Sequence, residues 1–422
     1  MTKVGRAGNK VAARGGEPLA LVMPGPVVRP GERPDFSHYG SFAPGAFRRP
    51  AVDESAESMV DLATGLIRVL DDDGNAHGPW NPHLEPQTLR EGLRVMMLTR
   101  EFDRRMMIDQ RQSKTSFYMQ CTGEEAIACA FQAALRKGDM NFPTYRQQGL
   151  LVAAGYPLEL MMSQVYSNSM DPLHGRQMPV FYSAREYGFF SISGTLATQF
   201  VQGVGWAMAS ALTGGSAIAA AWIGDGASAE TDFFSALVMA STYRAPVILN
   251  IVNNQWAIST SETVARGQAP SFAARGRGFG IAALRVDGND YLAVHAVASW
   301  AAERARANLG PTLVEWVTYR TAAHSSSDDP ASYRSADEPG AWPLGDPIER
   351  LAKHLVALGE LDEPRLATLR EQVANEVGAA QRKAESFGTL KQGPKPSPRE
   401  IFEDVFKTMP ESLISQEREA GY

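Results

Sequence analysis

Hydrophobic positions recur at two different periods along this chain, and the change of period marks its organisation. From Pro86 to about Arg111, Leu89, Leu93, Met96, Met97, Phe102 and Met106 fall at helical spacing among many charged residues. That pattern predicts an amphipathic helix packed on a core. Between about 120 and 320 the charges thin out, Gly and Ala become frequent, and short apolar runs end at Gly, Asn or Asp. The runs 217–223 and 247–252 are almost wholly apolar over strand length, which suits central strands covered on both faces. Residues 229–243 between them carry a helical pattern, with Glu230 and Asp232 in the first turn, where negative charge suits the helix dipole. Further strands are predicted at 283–286 and 311–317, with a helix over 291–308 between them. Strands alternating with helices predict a doubly wound, mostly parallel α/β sheet with helices on both faces.

The flanks differ. Residues 1–50 are rich in Gly and Pro without sustained periodicity and read as an extended arm that wraps a partner or stays mobile. The run Leu66–Leu70 before Asp71-Asp72-Asp73-Gly74 predicts a strand followed by a turn. From Pro347 the pattern returns to charged helical segments. The organisation expected is an N-terminal arm over 1–85, an α/β domain over 86–340 and a C-terminal helical segment over 341–422.

Composition narrows the function classes. The chain has 422 residues, 44% of them hydrophobic and 21% charged, with a net charge of −6. That balance lacks the basic stripe of a nucleic-acid binder, and no apolar run reaches the ~20 residues that span a bilayer. Residues 1–14 carry Lys3, Arg6, Lys10 and Arg14 without an apolar run, a flexible tail rather than a secretory signal. The two cysteines, Cys121 and Cys129, form no CxxC pair and no metal cluster. They read as small buried residues in a reducing compartment, and the chain as cytoplasmic.

In a doubly wound sheet, ligands sit beyond the carboxyl ends of the strands. Two loops leave such ends: Gly224-Asp225-Gly226, and, one helix and one strand later, Asn253-Asn254-Gln255-Trp256. A carboxylate, a carboxamide oxygen and a backbone carbonyl are hard ligands suited to Mg²⁺, which completes its shell with phosphates. Glycine on both sides of Asp225 lets backbone N–H groups approach a diphosphate. Taken alone, GDG is a common tight turn; the pairing of the two loops at neighbouring strand ends is what favours a metal-diphosphate site.

These loops resemble the thiamine diphosphate fingerprint, and their surroundings, from about residue 60 to 410, resemble the α subunits of 2-oxo acid dehydrogenases (E1), branched-chain members above all. The resemblance rests on Phe117-Tyr118-Met119-Gln120, Gly123-Glu124-Glu125-Ala126, Phe142-Pro143-Thr144-Tyr145-Arg146, Gly175-Arg176-Gln177-Met178-Pro179, Leu196-Ala197-Thr198-Gln199 and His324-Ser325-Ser326-Ser327-Asp328-Asp329. It implies the thiamine-diphosphate-binding fold. It also implies oxidative decarboxylation of a small branched-chain 2-oxo acid, with acyl transfer to the lipoyl domain of an E2 acyltransferase. The active site would be shared with an E1 β subunit in an α₂β₂ heterotetramer.

Carried over by position, the resemblance implies that Asp225, Asn254 and the Trp256 carbonyl hold Mg²⁺. Tyr145, Arg146, Gly226 and Ala227 then meet the diphosphate, and Gly194 and Leu196 lie along the cofactor. Ser193, Thr195, Thr198 and Gln199 match a K⁺ site of branched-chain relatives, and His324 lies on a mobile loop over the active site. Two positions depart from the pattern. Val252 stands where some relatives have Arg, removing one diphosphate contact, and Ala323 stands where some have a second His. Two other readings remain open at this level: a pyruvate or acetoin dehydrogenase α subunit with the same chemistry, and a non-catalytic Mg-nucleotide-binding module. The absence of a GxxxxGK[ST] motif counts against the second.

Overall fold

Five parallel strands build the central sheet: β1 (Met140–Phe142), β2 (Ala219–Gly224), β3 (Val247–Asn253), β6 (Ala282–Asp287) and β7 (Thr312–Val317), in the spatial order β1-β2-β3-β7-β6. A two-stranded hairpin, β4 (Trp256–Ala257) with β5 (Thr260–Ser261), projects after β3. The computed structural model describes residues 20–22, 30–32, 34–403 and 405–422. The tail expected over residues 1–14 lies outside them.

The near-continuous apolar runs are explained by burial on both faces. Ala220, Trp222, Ile248, Val252, Leu284, Val314 and Trp316 point to one side of the sheet. Ala219, Ala221, Ile223, Val247, Leu249, Ile251 and Leu313 point to the other. Asn250 is the polar break in β3, and it is satisfied: its amide donates to the Ala221 carbonyl and its oxygen accepts from the Trp316 indole at 2.9 Å.

On the first face lie α1 (Pro86–Arg111), α2 (Glu125–Gln132) and α7 (Tyr291–Arg306), backed by α3 (Gln148–Ala153), α4 (Leu158–Tyr166), α8 (Pro347–Ala357) and α9 (Glu363–Ser386). On the second face lie α5 (Thr198–Leu212) and α6 (Thr231–Tyr243). Helix α5 packs closely because a Cβ on Gly203 would meet that of Ala221 at 2.8 Å. Gly203 and Ala207 are thus spent on packing within the subunit, while Ala211 is exposed.

One expectation changes. The strand read at 66–70 makes only isolated bridges, Ile67 to Val286 and Leu70 to Ala76. The Val69 and Leu70 amides donate to the Asp290 carboxylate at 2.8 and 2.6 Å instead of to a strand neighbour. Part of the arm packs on this same chain: Tyr39 is 1% exposed and lies with Phe36 against Tyr319 and Trp342. Strand β1 has three residues, too few for any period to show in the sequence.

Candidate active site

Because the five strands are parallel, their carboxyl ends gather at one rim of the sheet. The loop after β1 brings Tyr145 and Arg146, that after β2 brings Asp225, that after β3 brings Asn254 and Trp256, and that after β7 brings Arg320 and His324. All of these but Arg320 line a cavity of about 440 Å³ whose wall also includes Ser193, Leu196, Gln199, Gly226 and Ala227. Gly194, Thr195 and Thr198 are not on that wall. Gly194 faces Phe181, and the two threonines turn into their own loop.

Asp225 is buried, and burial pushes its carboxyl up to about 7. Its Oδ1 accepts from the Gly226 N–H at 2.7 Å, so the amide expected to face a diphosphate is engaged by its neighbour. The other oxygen, Oδ2, is buried with no hydrogen-bond partner among the described residues. An unpaired buried carboxylate oxygen is costly unless something meets it, and a divalent cation would. Asn254 donates from Nδ2 to Glu124 Oε1 at 2.7 Å, and its Oδ1 accepts from the Trp256 N–H at 3.3 Å, which leaves that oxygen one lone pair. A Cβ on Gly226 would lie 2.4 Å from that of Ala257, so glycine is what lets the two loops touch. A Cβ on Gly224 would meet nothing within 4 Å.

Two guanidiniums stand over this pair without a carboxylate bound to either. Arg146 donates to the Gln120 carbonyl and to the His324 carbonyl and Nδ1. Arg320 donates to the Trp256 carbonyl at 2.9 Å, the Ile258 carbonyl and the Tyr333 hydroxyl. Burial, with Arg146 beside it, lowers Arg320 to about 10. Two buried like charges hydrogen-bonded only to neutral groups favour an anionic ligand.

His324 is set by the same pair. Burial first, then Arg146 and Arg320, push it down to about 3. Both guanidiniums approach Nδ1, at 3.0 and 3.4 Å, so Nδ1 accepts and the proton sits on Nε2. The ring is therefore a neutral hydrogen-bond donor, not the titrating group that a lone loop histidine suggests. Its loop is tied down: the His324 N–H and the Tyr333 hydroxyl both donate to Asp328 Oδ2, at 2.7 and 2.6 Å, and Arg334 donates to the carbonyls of residues 320, 321 and 322. Tyr145 stacks on Phe181, with its ring 5.9 Å from His324.

The loop 193–199 turns its oxygens inward. The Thr198 hydroxyl donates to the Thr195 carbonyl at 2.9 Å, the Gln199 amide donates to the Ser193 carbonyl, and Gln199 Oε1 is buried without a partner.

Glu124, Arg320, Asp328 and Tyr333 were not assigned roles from the sequence. Arg320 carried the signal that singled out Arg146, an arginine directly beyond an apolar strand. Glu124 carried none, because its partner Asn254 is 130 residues away.

The comparisons with known proteins agree with this geometry. The model of the dehydrogenase E1 component matches residues 93–392, and that of the 2-oxoisovalerate dehydrogenase E1 alpha subunit N terminal matches residues 17–57. A 2-oxoisovalerate dehydrogenase subunit alpha of Pseudomonas aeruginosa is 58% identical over 405 residues, 96% of this chain and 99% of that protein. The mitochondrial 2-oxoisovalerate dehydrogenase subunits alpha of mouse and human are 40% and 39% identical, each over 83% of this chain and 78% of their own. The chain belongs to the dehydrogenase E1 component family, among the α subunits of the 2-oxoisovalerate dehydrogenase type.

Proposed function

We propose that this chain, with an E1 β subunit, carries out thiamine-diphosphate-dependent oxidative decarboxylation of branched-chain 2-oxo acids in the cytoplasm, passing the acyl group to the lipoyl domain of an E2 acyltransferase. The observation that carries the reading is the buried Asp225 oxygen, without a partner among the described residues, on the wall of a cavity that Arg146 and Asn254 also line, in a chain of this family. Among the described residues no helix is long and apolar enough to cross a membrane.

The donor set fits a magnesium diphosphate. Asp225 supplies the anionic ligand, Asn254 a neutral oxygen, and Trp256 its carbonyl, whose second lone pair is left over from the bond to Arg320. Arg146 and Arg320 offset the phosphate charge, and Arg320 occupies the role left vacant by Val252. Tyr145 and Leu196 wall the cavity that takes the organic part. When bound, thiamine diphosphate supplies the electron sink for the bond to carboxylate that breaks. His324 presents Nε2–H as a neutral hydrogen-bond donor, orienting the substrate and the acyl acceptor without titrating. Loop 193–199, with the spare oxygen of Gln199, accepts K⁺ and stiffens the entry to α5.

The partner's place is the outer face of α5 and α6, where Leu212, Val238 and Tyr243 are 84%, 51% and 63% exposed. The test is co-expression with the β subunit and assay on a panel of 2-oxo acids. We expect 3-methyl-2-oxobutanoate to be turned over at least about tenfold faster than pyruvate, within the reach of hydrophobic pocket discrimination. The chain on its own is expected to turn over neither. Preference for pyruvate, or turnover by the isolated chain, would overturn the assignment. In the assembled enzyme, His324→Ala should cut lipoyl acylation roughly 10²–10³-fold, the loss of one hydrogen-bond donor, and decarboxylation followed with an artificial acceptor far less; equal losses would remove its acyl-transfer role.

A further inference from the structure

We propose that the N-terminal arm positions the metal-ligand loop: Tyr39 fixes the side chain of Gln255, and Gln255 fixes the backbone that presents Asn254 and Trp256. The inference rests on the assignment of those two residues to the metal.

Residues 254 and 256 line the cavity, while Gln255 between them turns its side chain the opposite way, into the arm. Gln255 holds a backbone φ of +74°, a region that L side chains disfavour, so surrounding contacts must impose it. They do so completely. The Gln255 Oε1 accepts from the Tyr39 hydroxyl at 2.9 Å. Its Nε2 donates to Asn253 Oδ1 at 3.0 Å and to the carbonyls of Asn253 and Thr318 at 3.3 Å. Its own backbone carbonyl accepts from the Glu262 N–H at 2.9 Å. The Tyr39 bond is the one among the described residues that comes from the N-terminal arm, and it joins segments 216 residues apart.

Tyr39 is itself held rigidly. Its ring lies 5.1 Å from that of Trp342, and the Arg285 guanidinium stands 5.4 Å from its centroid. Phe36, one helical step earlier, meets Trp342 at 5.2 Å and Tyr319 at 5.9 Å. The same aromatic layer reaches the loop a second time, because the Trp256 indole and the Tyr319 hydroxyl both donate to Glu338 Oε1, at 2.7 and 3.0 Å. The arm therefore closes the back of the loop whose front faces the cavity. Without the Tyr39 hydroxyl, the Gln255 oxygen is left buried and unpaired in a loop already held in a disfavoured conformation. The loop then gains access to arrangements in which Asn254 and Trp256 no longer point together.

The experiment uses the enzyme assembled with its β subunit and stripped of cofactor. Magnesium and thiamine diphosphate are titrated calorimetrically into wild type, Tyr39→Phe, Gln255→Ala and the double variant. Losing one buried hydrogen bond should weaken cofactor binding about 3- to 30-fold in Tyr39→Phe. Turnover at saturating cofactor should stay within about twofold, because no group that touches substrate has changed. Gln255→Ala should weaken binding at least as much, and adding Tyr39→Phe to it should change nothing further, since the two act along one route. Wild-type affinity in Tyr39→Phe would overturn the proposal, as would a Tyr39→Phe loss that persists undiminished in the Gln255→Ala background. Should Tyr39→Phe fail to assemble, Gln255→Ala, which leaves the aromatic layer intact, carries the same prediction. If the wild-type enzyme binds no thiamine diphosphate, it is the assignment of the site that fails, not the role of the arm.

Discussion

The two helical layers on either side of the sheet are built differently. On one face, α1 and α2 are covered again by α8, with α4 and α9 also on α1, while residues 50–54 and Trp80 cover α7, and none of the three exposes a large apolar side chain. On the other, α5 and α6 form a single layer whose outer surface leaves Leu212, Phe234, Val238, Met239 and Tyr243 exposed. Both bare helices start at the candidate site, α5 out of the loop 193–199 and α6 just after Asp225–Ala229, as do α2 and α3 of the covered face, which follow Glu124 and Gln147. What separates the layers is their outer surface: only the bare one joins the candidate site to an exposed apolar face, the face proposed for the partner. A partner that settles on α5 and α6 settles on the supports of the active site, which gives a physical reason for the site to be complete only in the assembly.

The comparison can be broken from its covered side first. Trp316 is fully buried against Phe131, and its indole satisfies Asn250. Trp316→Ala should cost roughly 3–5 kcal/mol of stability, read as a lowered urea midpoint. A smaller loss than about 1 kcal/mol would mean that this layer is not the stability core. On the bare side the pattern should invert. Val238→Glu should leave the isolated chain within about 0.5 kcal/mol of wild type while abolishing co-purification with the β subunit. Retained assembly would move the interface elsewhere.

A smaller effect sharpens the link to the site. Burial holds Asp225 at about 7 in the cofactor-free chain, so below that pH a metal must displace a proton before it binds. Affinity for magnesium thiamine diphosphate should therefore fall as pH drops, by up to about tenfold per unit below 7, and level off above it. An isotherm unchanged between pH 6 and pH 8 would contradict a carboxyl held in this state.

Much of this was legible in the sequence, for identifiable reasons. Strands β2 and β3 and helix α1 announced themselves because full burial on both faces, or on one stripe, leaves uniform apolar patterns. Asp225 and Asn254 were legible because strand ends gather ligands, and the position of each strand end could be read from where its apolar run stops. The segment 66–70 misled because its apolar residues are buried by packing while its amides are claimed by Asp290. The state of His324 was hidden because it depends on Arg146, which lies 178 residues away in the chain. The arm looked featureless because Tyr39 gains its meaning only from Gln255 and Trp342. What the sequence hides in each case is a long-range contact made by one polar atom.

The central claim is that a buried, unpartnered Asp225 oxygen holds the metal of the cofactor. Asp225→Asn keeps the shape and removes the charge. Because the folded carboxyl titrates above its ordinary value, its ionised form destabilises the cofactor-free chain as pH rises from about 4 toward 7. The variant should accordingly be at least as stable as wild type at pH 8. Titration of magnesium thiamine diphosphate into the cofactor-free assembled variant decides the matter. The account predicts a loss of affinity greater than the roughly 10–100-fold that follows from losing an outer-shell partner, in a protein that melts no lower than wild type. Binding at wild-type affinity would contradict it.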